Sequence, residues 1–267
     1  MLVLPTEEPM YLLSDAQSTF RRKRFYPQTK VNEATFLLRD ASQPVILTGA
    51  GISAGSGVPT FRDGVSSLWG NEELMQLAEH ETFLRDPASV WRAHETMRAI
   101  VEQCVPNAAH LAIARLCQQK PATKVFTQNV DGLHEESGIA AHELHGSLRR
   151  FVCINCGLAR RASCSAPAEY GAIVCGACGG RLRYDTVLFG EPVRCQDEAL
   201  ACLQQTDLVI FVGTSGMVTP TREIAWAMRR RRVRVIEINP MAITSSSLVV
   251  YLHIRAKAEH VLPEMID

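Results

Sequence analysis

The stretch Val45-Ile46-Leu47-Thr48-Gly49-Ala50-Gly51-Ile52-Ser53-Ala54-Gly55-Ser56-Gly57-Val58-Pro59-Thr60-Phe61-Arg62 decides how this chain reads. Val45, Ile46 and Leu47 make a short apolar run of the kind that forms a buried strand. The run breaks into a glycine-rich turn. Gly49 and Gly51 carry no Cβ, so the backbone can turn sharply there and approach a pyrophosphate within hydrogen-bond reach. Ser53 offers a hydroxyl where a following helix would present its free N–H groups. After Gly57 the pattern leaves the ordinary dinucleotide loop. Pro59 stops the helix early, and Phe61-Arg62 sets an aromatic ring and a fixed cation beside the phosphates. A lone G-x-G pair is common in turns; the whole run is far more specific.

Working outward, Ala34, Phe36, Leu37 and Leu38 suit a helix over residues 31–40 that leads into the first strand. Residues 68–104, rich in Leu, Trp and Met, read as helical, with Asp86-Pro87 as a helix start. Pro106-Asn107-Ala108-Ala109-His110 opens another helix to about Gln118, and His110 reads there as a packed or capping histidine. Residues 124–127 make a second core strand ending in Gln128-Asn129-Val130-Asp131-Gly132-Leu133-His134. Polar side chains just past the carboxyl end of a parallel strand sit where open α/β sheets bind ligands. Glu143-Leu144-His145-Gly146-Ser147 follows. Residues 208–212 form a third core strand running into Gly213-Thr214-Ser215, and 233–238 a fourth ending in Asn239-Pro240. This alternation predicts an α/β protein with a Rossmann-like, doubly wound parallel sheet. The run Arg229 to Arg232 closes a predicted helix, where cations complement the dipole.

Between His145 and Val187 the α/β pattern is interrupted. Cys153-x-x-Cys156 and Cys175-x-x-Cys178 stand eighteen residues apart, with Gly157, Gly176, Gly179 and Gly180 permitting tight knuckles. Two such knuckles present four thiolates tetrahedrally to one zinc ion. Four cysteines close the coordination shell, so the metal is expected to be structural, in a small zinc-ribbon/helical second domain. A nucleic-acid-binding ribbon would need a basic and aromatic face that this insert lacks. The other five of the nine cysteines, Cys104, Cys117, Cys164, Cys195 and Cys202, are scattered among apolar neighbours. That usage fits a reducing compartment rather than a disulfide framework.

At 267 residues, with 46% hydrophobic and 21% charged residues, the chain has the composition of a soluble enzyme. The formal net charge is +0, so nothing draws it in bulk to nucleic acid or to anionic membrane. No apolar run reaches the length of a membrane span. The N-terminus lacks the order of a secretory signal, and Glu7, Glu8 and Asp15 argue against a transit peptide. A cytoplasmic protein is the expectation. Residues 1–30 read as an N-terminal extension whose basic cluster, Arg21-Arg22-Lys23-Arg24, is a solvated arm.

The opening loop, Gln128-Asn129-Val130-Asp131, His145-Gly146, the four paired cysteines, Phe189-Gly190-Glu191, Gly213-Thr214-Ser215 and Asn239 occur in one order over about residues 31–265. Together they resemble the sirtuins, the NAD-dependent protein lysine deacylases. The resemblance implies a catalytic domain over residues 31–267, with small-domain inserts at about 64–105 (helical) and 151–183 (zinc ribbon). It implies NAD as cosubstrate, one structural zinc and acyl-lysine proteins as substrates. In that chemistry the amide oxygen attacks C1′ of the nicotinamide ribose. His145, as general base, then takes a proton from a ribose hydroxyl, and that oxygen attacks the imidate. Asn129 is the second catalytic residue. Gly49, Ala50, Gly51, Ser53, Phe61, Arg62, Gln128, Asp131, Gly213, Thr214, Ser215, Asn239 and Ala258 are implied to hold the dinucleotide. Asp131 and the backbone after Gly57 receive the carboxamide, and Asn239 stands where an acidic ribose clamp is usual. Ala256-Lys257-Ala258-Glu259 replaces the usual glycine-containing adenine loop. Val187, Phe189 and Phe61 are expected to line the acyl-lysine tunnel. The backbone of Phe189-Gly190-Glu191 is expected to pair with an extended substrate peptide.

Three other readings compete. A Rossmann oxidoreductase explains NAD but not Asn129, Asp131 and His145 together. A non-catalytic NAD sensor or zinc scaffold would not need His145 or Asn129. Mono-ADP-ribosyl transfer uses the same C1′ cation with another nucleophile. The segment from Pro87 through Val90-Trp91 resembles the desuccinylase-type branch, whose Tyr-x-x-Arg pair reads an acidic acyl group. Here that pair becomes His94 and Met97, with Arg98 one residue on and turned away by about 100°. A small Ala78 leaves the far end of the tunnel open. The expectation is a wide, mostly apolar pocket taking acetyl and longer neutral acyl groups, with weak acidic activity at low pH through protonated His94.

Overall fold

The structure is a computed structural model that describes residues 26–60, 72–162, 169–216, 221–242, 244 and 250–267. The basic cluster 21–24, Phe61, Arg62 and Cys164 lie outside the described residues. In chain order the elements are α1 (Gln28–Asp40), β1 (Pro44–Thr48), α2 (Glu72–Leu77), α3 (His80–Arg85), α4 (Pro87–Val101), α5 (Ala108–Gln119) and β2 (Lys124–Thr127). Next come α6 (Leu133–Glu136), β3 (His142–Glu143), β4 (Gly146–Cys153), β5 (Ala159–Arg161) and β6 (Leu182–Thr186). The chain ends with α7 (Gln196–Gln205), β7 (Leu208–Val212), α8 (Thr221–Arg230), β8 (Arg234–Ile238), β9 (Leu252–Ile254) and α9 (Ala258–Ile266).

Six strands form one sheet in the order β3-β2-β1-β7-β8-β9, every neighbouring pair parallel. All five residues of β1 and all five of β7 are buried, as strands covered on both faces require. Side chains alternate between the two faces. Ile46, Ile210 and Val212 join the core under α1, α5 and α9, whereas Val45, Leu47, Val209 and Phe211 join the core under α7 and α8. After β1 the chain moves outward through β2 to β3, and after β7 it moves the other way through β8 to β9. The order therefore reverses between β1 and β7, which opens a crevice at their carboxyl ends.

The insert forms a second sheet, β5-β4-β6, antiparallel throughout. It shares one core with the helical insert: Trp91 from α4 stacks on Phe151 (centroids 5.3 Å apart) and leans on Tyr184 (4.9 Å). Two separate stretches of sequence thus build one small domain. Over the described residues 72–104 the helical reading becomes three helices, broken where Ala78 to His80 pair with Phe189 and where Asp86 caps α4. The Asp86 carboxylate accepts from Ser89 N–H, and Pro87 starts the helix with no amide to leave unpaired. His110 completes the capping box of α5, its Nδ1 accepting from Asn107 N–H. The arginine run is split: Arg229 and Arg230 lie in the last turn of α8, while Arg231 donates to Gln204 C=O at the end of α7.

Candidate active site

The crevice is shaped by contact between two loop backbones. Gly49 N–H donates to Val212 C=O (3.0 Å), and Gly51 N–H donates to Gly213 C=O (2.8 Å). A Cβ on Gly51 would lie 2.7 Å from Gly213 Cα, and Gly213 itself has φ +62. These glycines are needed first because the β1 and β7 loops touch. The Gly49 and Gly51 amides are committed to β7 and its loop, and the Gly213 amide to Ile238 C=O. Among the described residues no acceptor takes the Ala50 N–H, which leaves it for an anion. The helix expected after Ser53 is also absent. Two short 3₁₀ turns, Ala50–Ile52 and Ala54–Ser56, stand in its place, and Gly57 closes them at φ +92.

Ser53 therefore points inward, fully buried. Its hydroxyl donates to Asp131 Oδ2 (2.7 Å) and accepts from Asn129 Nδ2 (3.0 Å). Asp131 uses its other oxygen to accept Leu133 N–H (2.9 Å). Thus three side chains from two loops form one node, whose Asn129 Oδ1 is claimed by no described partner. His145 lies at the hinge between β3 and β4. Its Nδ1 sits 2.9 Å from Gln128 C=O, an acceptor only, so Nδ1 carries the proton and the neutral ring keeps its lone pair on Nε2. Gly146 follows at φ +76, where a Cβ would overlap Asp185 C=O at 1.9 Å. Gln128 also accepts from Thr214 O–H (3.0 Å), which joins the β2 and β7 loops across the crevice.

Asn239 is committed to loop shape: its Nδ2 donates to Thr214 C=O (2.7 Å) and its Oδ1 accepts from Met241 N–H (3.0 Å). It frames the crevice rather than standing free as a ribose clamp. Ala256 and Ala258 are buried in the core beneath α9. The Glu259 carboxylate fills the space beside Gly55, where a Cβ would meet Oε1 at 2.8 Å. Ser215 is half-buried beside Thr214.

The four cysteines converge. All four Sγ atoms lie within 4.8 Å of one another, with Cys153–Cys178 at 3.5 Å and Cys156–Cys175 at 3.7 Å. Tetrahedral zinc with bonds of about 2.3 Å sets sulfur atoms roughly 3.8 Å apart, so these residues fit the ion. Gly157 and Gly179, both left-handed, return their amides to Cys153 and Cys175 C=O in matching knuckles.

The Sir2 family profile matches residues 49–220. NAD-dependent protein deacylase 2 of Pyrobaculum aerophilum is 40% identical over 236 residues, covering 86% of this chain and 92% of its own length. NAD-dependent protein deacylase 1 of Pseudomonas aeruginosa is 39% identical over 239 residues, covering 86% and 95%. A solved complex of a Sir2 homolog with NAD aligns at a TM-score of 0.79 and 32% identity, covering 88% of this chain and 92% of that one. The chain belongs to the Sir2 family.

On the acyl side of this Sir2 domain several expectations change. Phe189 N–H donates to Ala78 C=O (2.8 Å) and Phe189 C=O accepts from His80 N–H (3.0 Å). Glu191 N–H donates to Leu188 C=O (3.0 Å). The Phe189 and Glu191 amides are thus already in use within this fold. The Glu191 side chain is structural as well. It accepts twice from Arg183 (2.7 Å each) and once from Leu188 N–H (2.9 Å), and His80 lies 2.9 Å away. Burial opposes its ionisation, but these donors hold it below the usual carboxylate range. Gly190 makes the turn at φ +94, and Val187 N–H fastens to His145 C=O (2.8 Å). Phe189 is exposed.

His94 is not a reserve cation. Its Nδ1 meets Val90 C=O (2.8 Å), its Nε2 meets Thr186 O–H (2.8 Å), and burial pushes its pKa down to about 4. Arg98, one residue past Met97, shares the inward face of α4 with Val90, Trp91 and Val101. Its charge is balanced instead by Glu102, which it contacts directly, and by Glu95 at 3.5 Å. Met97 packs against the Trp91 core. Sequence reasoning passed over Thr48, Thr127, His134 and Asp185, all buried and polar. Two threonines ending adjacent parallel strands were the available signal.

Proposed function

We infer that this Sir2-family chain is an NAD-dependent protein deacylase that transfers the acyl group of acyl-lysine to ADP-ribose and releases nicotinamide. The observation that carries the catalytic assignment is the clamp of His145 Nδ1–H on Gln128 C=O beside the Asn129–Ser53–Asp131 node. A ring held in that tautomer offers Nε2 as the base for a ribose hydroxyl proton. Asn129 brings its free carbonyl oxygen to the reacting ribose, and the Ser53 hydroxyl keeps Asp131 oriented for the carboxamide. Ala50, Thr214 and Ser215 take the phosphates and ribose. The four cysteines hold one zinc, which supplies structure and no reacting group.

Neutral acyl groups are the preferred substrates. A succinyl carboxylate would meet a neutral His94, an apolar Met97 and an arginine whose charge Glu95 and Glu102 already balance, so most of its desolvation cost would remain. The same reading assigns residues 31–267 to the catalytic domain and 1–30 to an extension. Tyr26 O–H donates to Glu264 Oε1 (3.0 Å), fastening the end of that extension to α9. No described helix is long and apolar enough to cross a membrane, the nine cysteines fit a cytoplasmic setting, and the formal net charge of +0 favours no direct nucleic-acid binding. The test compares kcat/KM on one peptide carrying acetyl-, butyryl-, longer acyl- or succinyl-lysine, with the products weighed by mass spectrometry. Acyl-ADP-ribose and a neutral-acyl preference are expected. A preference for succinyl would refute the pocket reading, and ADP-ribosylated protein would replace deacylation with mono-ADP-ribosyl transfer.

A further inference from the structure

Beneath the Asn129 node runs a second line of hydrogen bonds that the reaction above does not use. Thr127 Oγ accepts from Asn129 N–H (3.1 Å) and from Thr48 O–H (2.8 Å). Thr48 Oγ in turn lies 2.9 Å from His134 Nε2. The hydroxyl hydrogen of Thr48 is already given to Thr127, so toward His134 it can only accept. His134 must therefore donate from Nε2, and its Nδ1 is left a bare lone pair. Among the described residues that buried atom has no partner. Residue burial is complete along the line: Thr48, Thr127 and His134 are 0%, 3% and 3% exposed. A second proton on His134 would have no acceptor. Burial, together with the His110 ring 5.0 Å away, pushes its pKa down to about 3. His110 closes the loop, with Nε2 3.5 Å from the Ser53 hydroxyl.

We propose that His134 is a positioning residue for catalysis: through Thr48 and Thr127 it fixes the backbone amide of Asn129, and so the orientation of the Asn129 side chain toward the reacting ribose. This rests on the assignment of Asn129 made above. The line has a direction, from His134 N–H to Thr48 O–H to Thr127 Oγ, with the Asn129 amide meeting it at the far end. Thr48 and Thr127 stand side by side in register at the ends of β1 and β2, so a hydroxyl on each is what joins His134 to Asn129. Removing the His134 donor frees the Thr48 hydroxyl to rotate, and Thr127 then loses the donor that holds it beneath Asn129.

The experiment measures steady-state kinetics with NAD and an acetyl-lysine peptide for His134→Phe, His134→Gln, Thr48→Val and the His134→Phe/Thr48→Val double variant. His134→Phe and Thr48→Val are each expected to lower kcat about tenfold, the weight of one buried hydrogen bond, at an unchanged KM for the peptide. The double variant should lose no more than either single change, because both break one line. His134→Gln, which places an amide N–H near the position of Nε2, should recover most of the loss. A kcat for Thr48→Val within twofold of wild type, or additive losses in the double variant, would overturn the proposal. If His134→Phe does not fold, Thr48→Val and His134→Gln decide alone. Asn129→Ala is measured beside them. Near wild-type turnover there overturns the assignment of Asn129 and this inference with it, whereas an inactive Asn129→Ala beside an unimpaired Thr48→Val overturns the inference only.

Discussion

Replacing Gly146 with alanine tests whether the base is placed by backbone geometry. Gly146 has φ +76, a region that costs an L-residue about 1–2 kcal/mol. The new Cβ would also sit 1.9 Å from Asp185 C=O, so β4 and β6 must separate by about 1 Å before the methyl fits. Forcing one carbon into a packed position typically adds about 1–3 kcal/mol. The loss of stability should therefore be about 2–5 kcal/mol, large beside the 5–15 kcal/mol of a typical domain. A catalytic loss should accompany it, because His145 is the preceding residue and its C=O is fastened to Val187 N–H on the same β6 edge. Misplacing a reacting group by about 1 Å costs roughly 10²-fold. Urea unfolding gives the first quantity and kcat/KM at saturating NAD gives the second. A Gly146→Ala protein with wild-type unfolding and turnover would refute both the left-handed geometry and the rigid coupling of His145 to β6.

Three further outcomes follow from the same structure. His145→Ala should lower turnover by about 10²–10⁴-fold while NAD still binds, which calorimetry beside kinetics would show; turnover near wild type would remove His145 as the base. Chelating the metal should lower folding stability, with activity falling together with the circular dichroism signal; an intact fold without activity would mean a catalytic metal instead. Acidification should destabilise the protein through His94. Its imidazole is held at about 4 in the fold against about 6.5 when unfolded, so the unfolded chain binds more protons between those values. That stability is present above about pH 6.5 and lost as the pH falls toward 4. His94→Gln should flatten this part of the profile, and an unchanged slope would place the titration elsewhere.

Much of this protein was legible in its sequence because the signals were local. Residues 45–47 and 208–212 are continuous apolar runs, and 124–127 and 233–238 carry shorter ones, Val125-Phe126 and Val235-Ile236; a strand buried on both faces leaves that mark wherever it occurs. The cysteine knuckles were equally plain, since a thiolate pair across two residues and a glycine turn is a local device. Asn129 and Asp131 stood out by their place just after a core strand, whereas the role of His145 came from the family resemblance. What the sequence could not contain was the partner of each polar group. Nothing local shows that Gly51 donates to Gly213, that Ser53 turns inward between Asn129 and Asp131, or that Thr48 and Thr127 stand in register with His134 beside them. The acyl side shows this most clearly. Helical spacing brought attention to His94, Met97 and Arg98, but what His94 and Arg98 can do follows from Val90, Thr186, Glu95 and Glu102 around them. Two of those four lie close in sequence to Arg98, yet only folding decides that they balance its charge in a buried stripe, and that Thr186 arrives from the far side of the zinc insert. Periodicity sets which residues go inside; desolvation and the hydrogen bonds met there set what those residues can do.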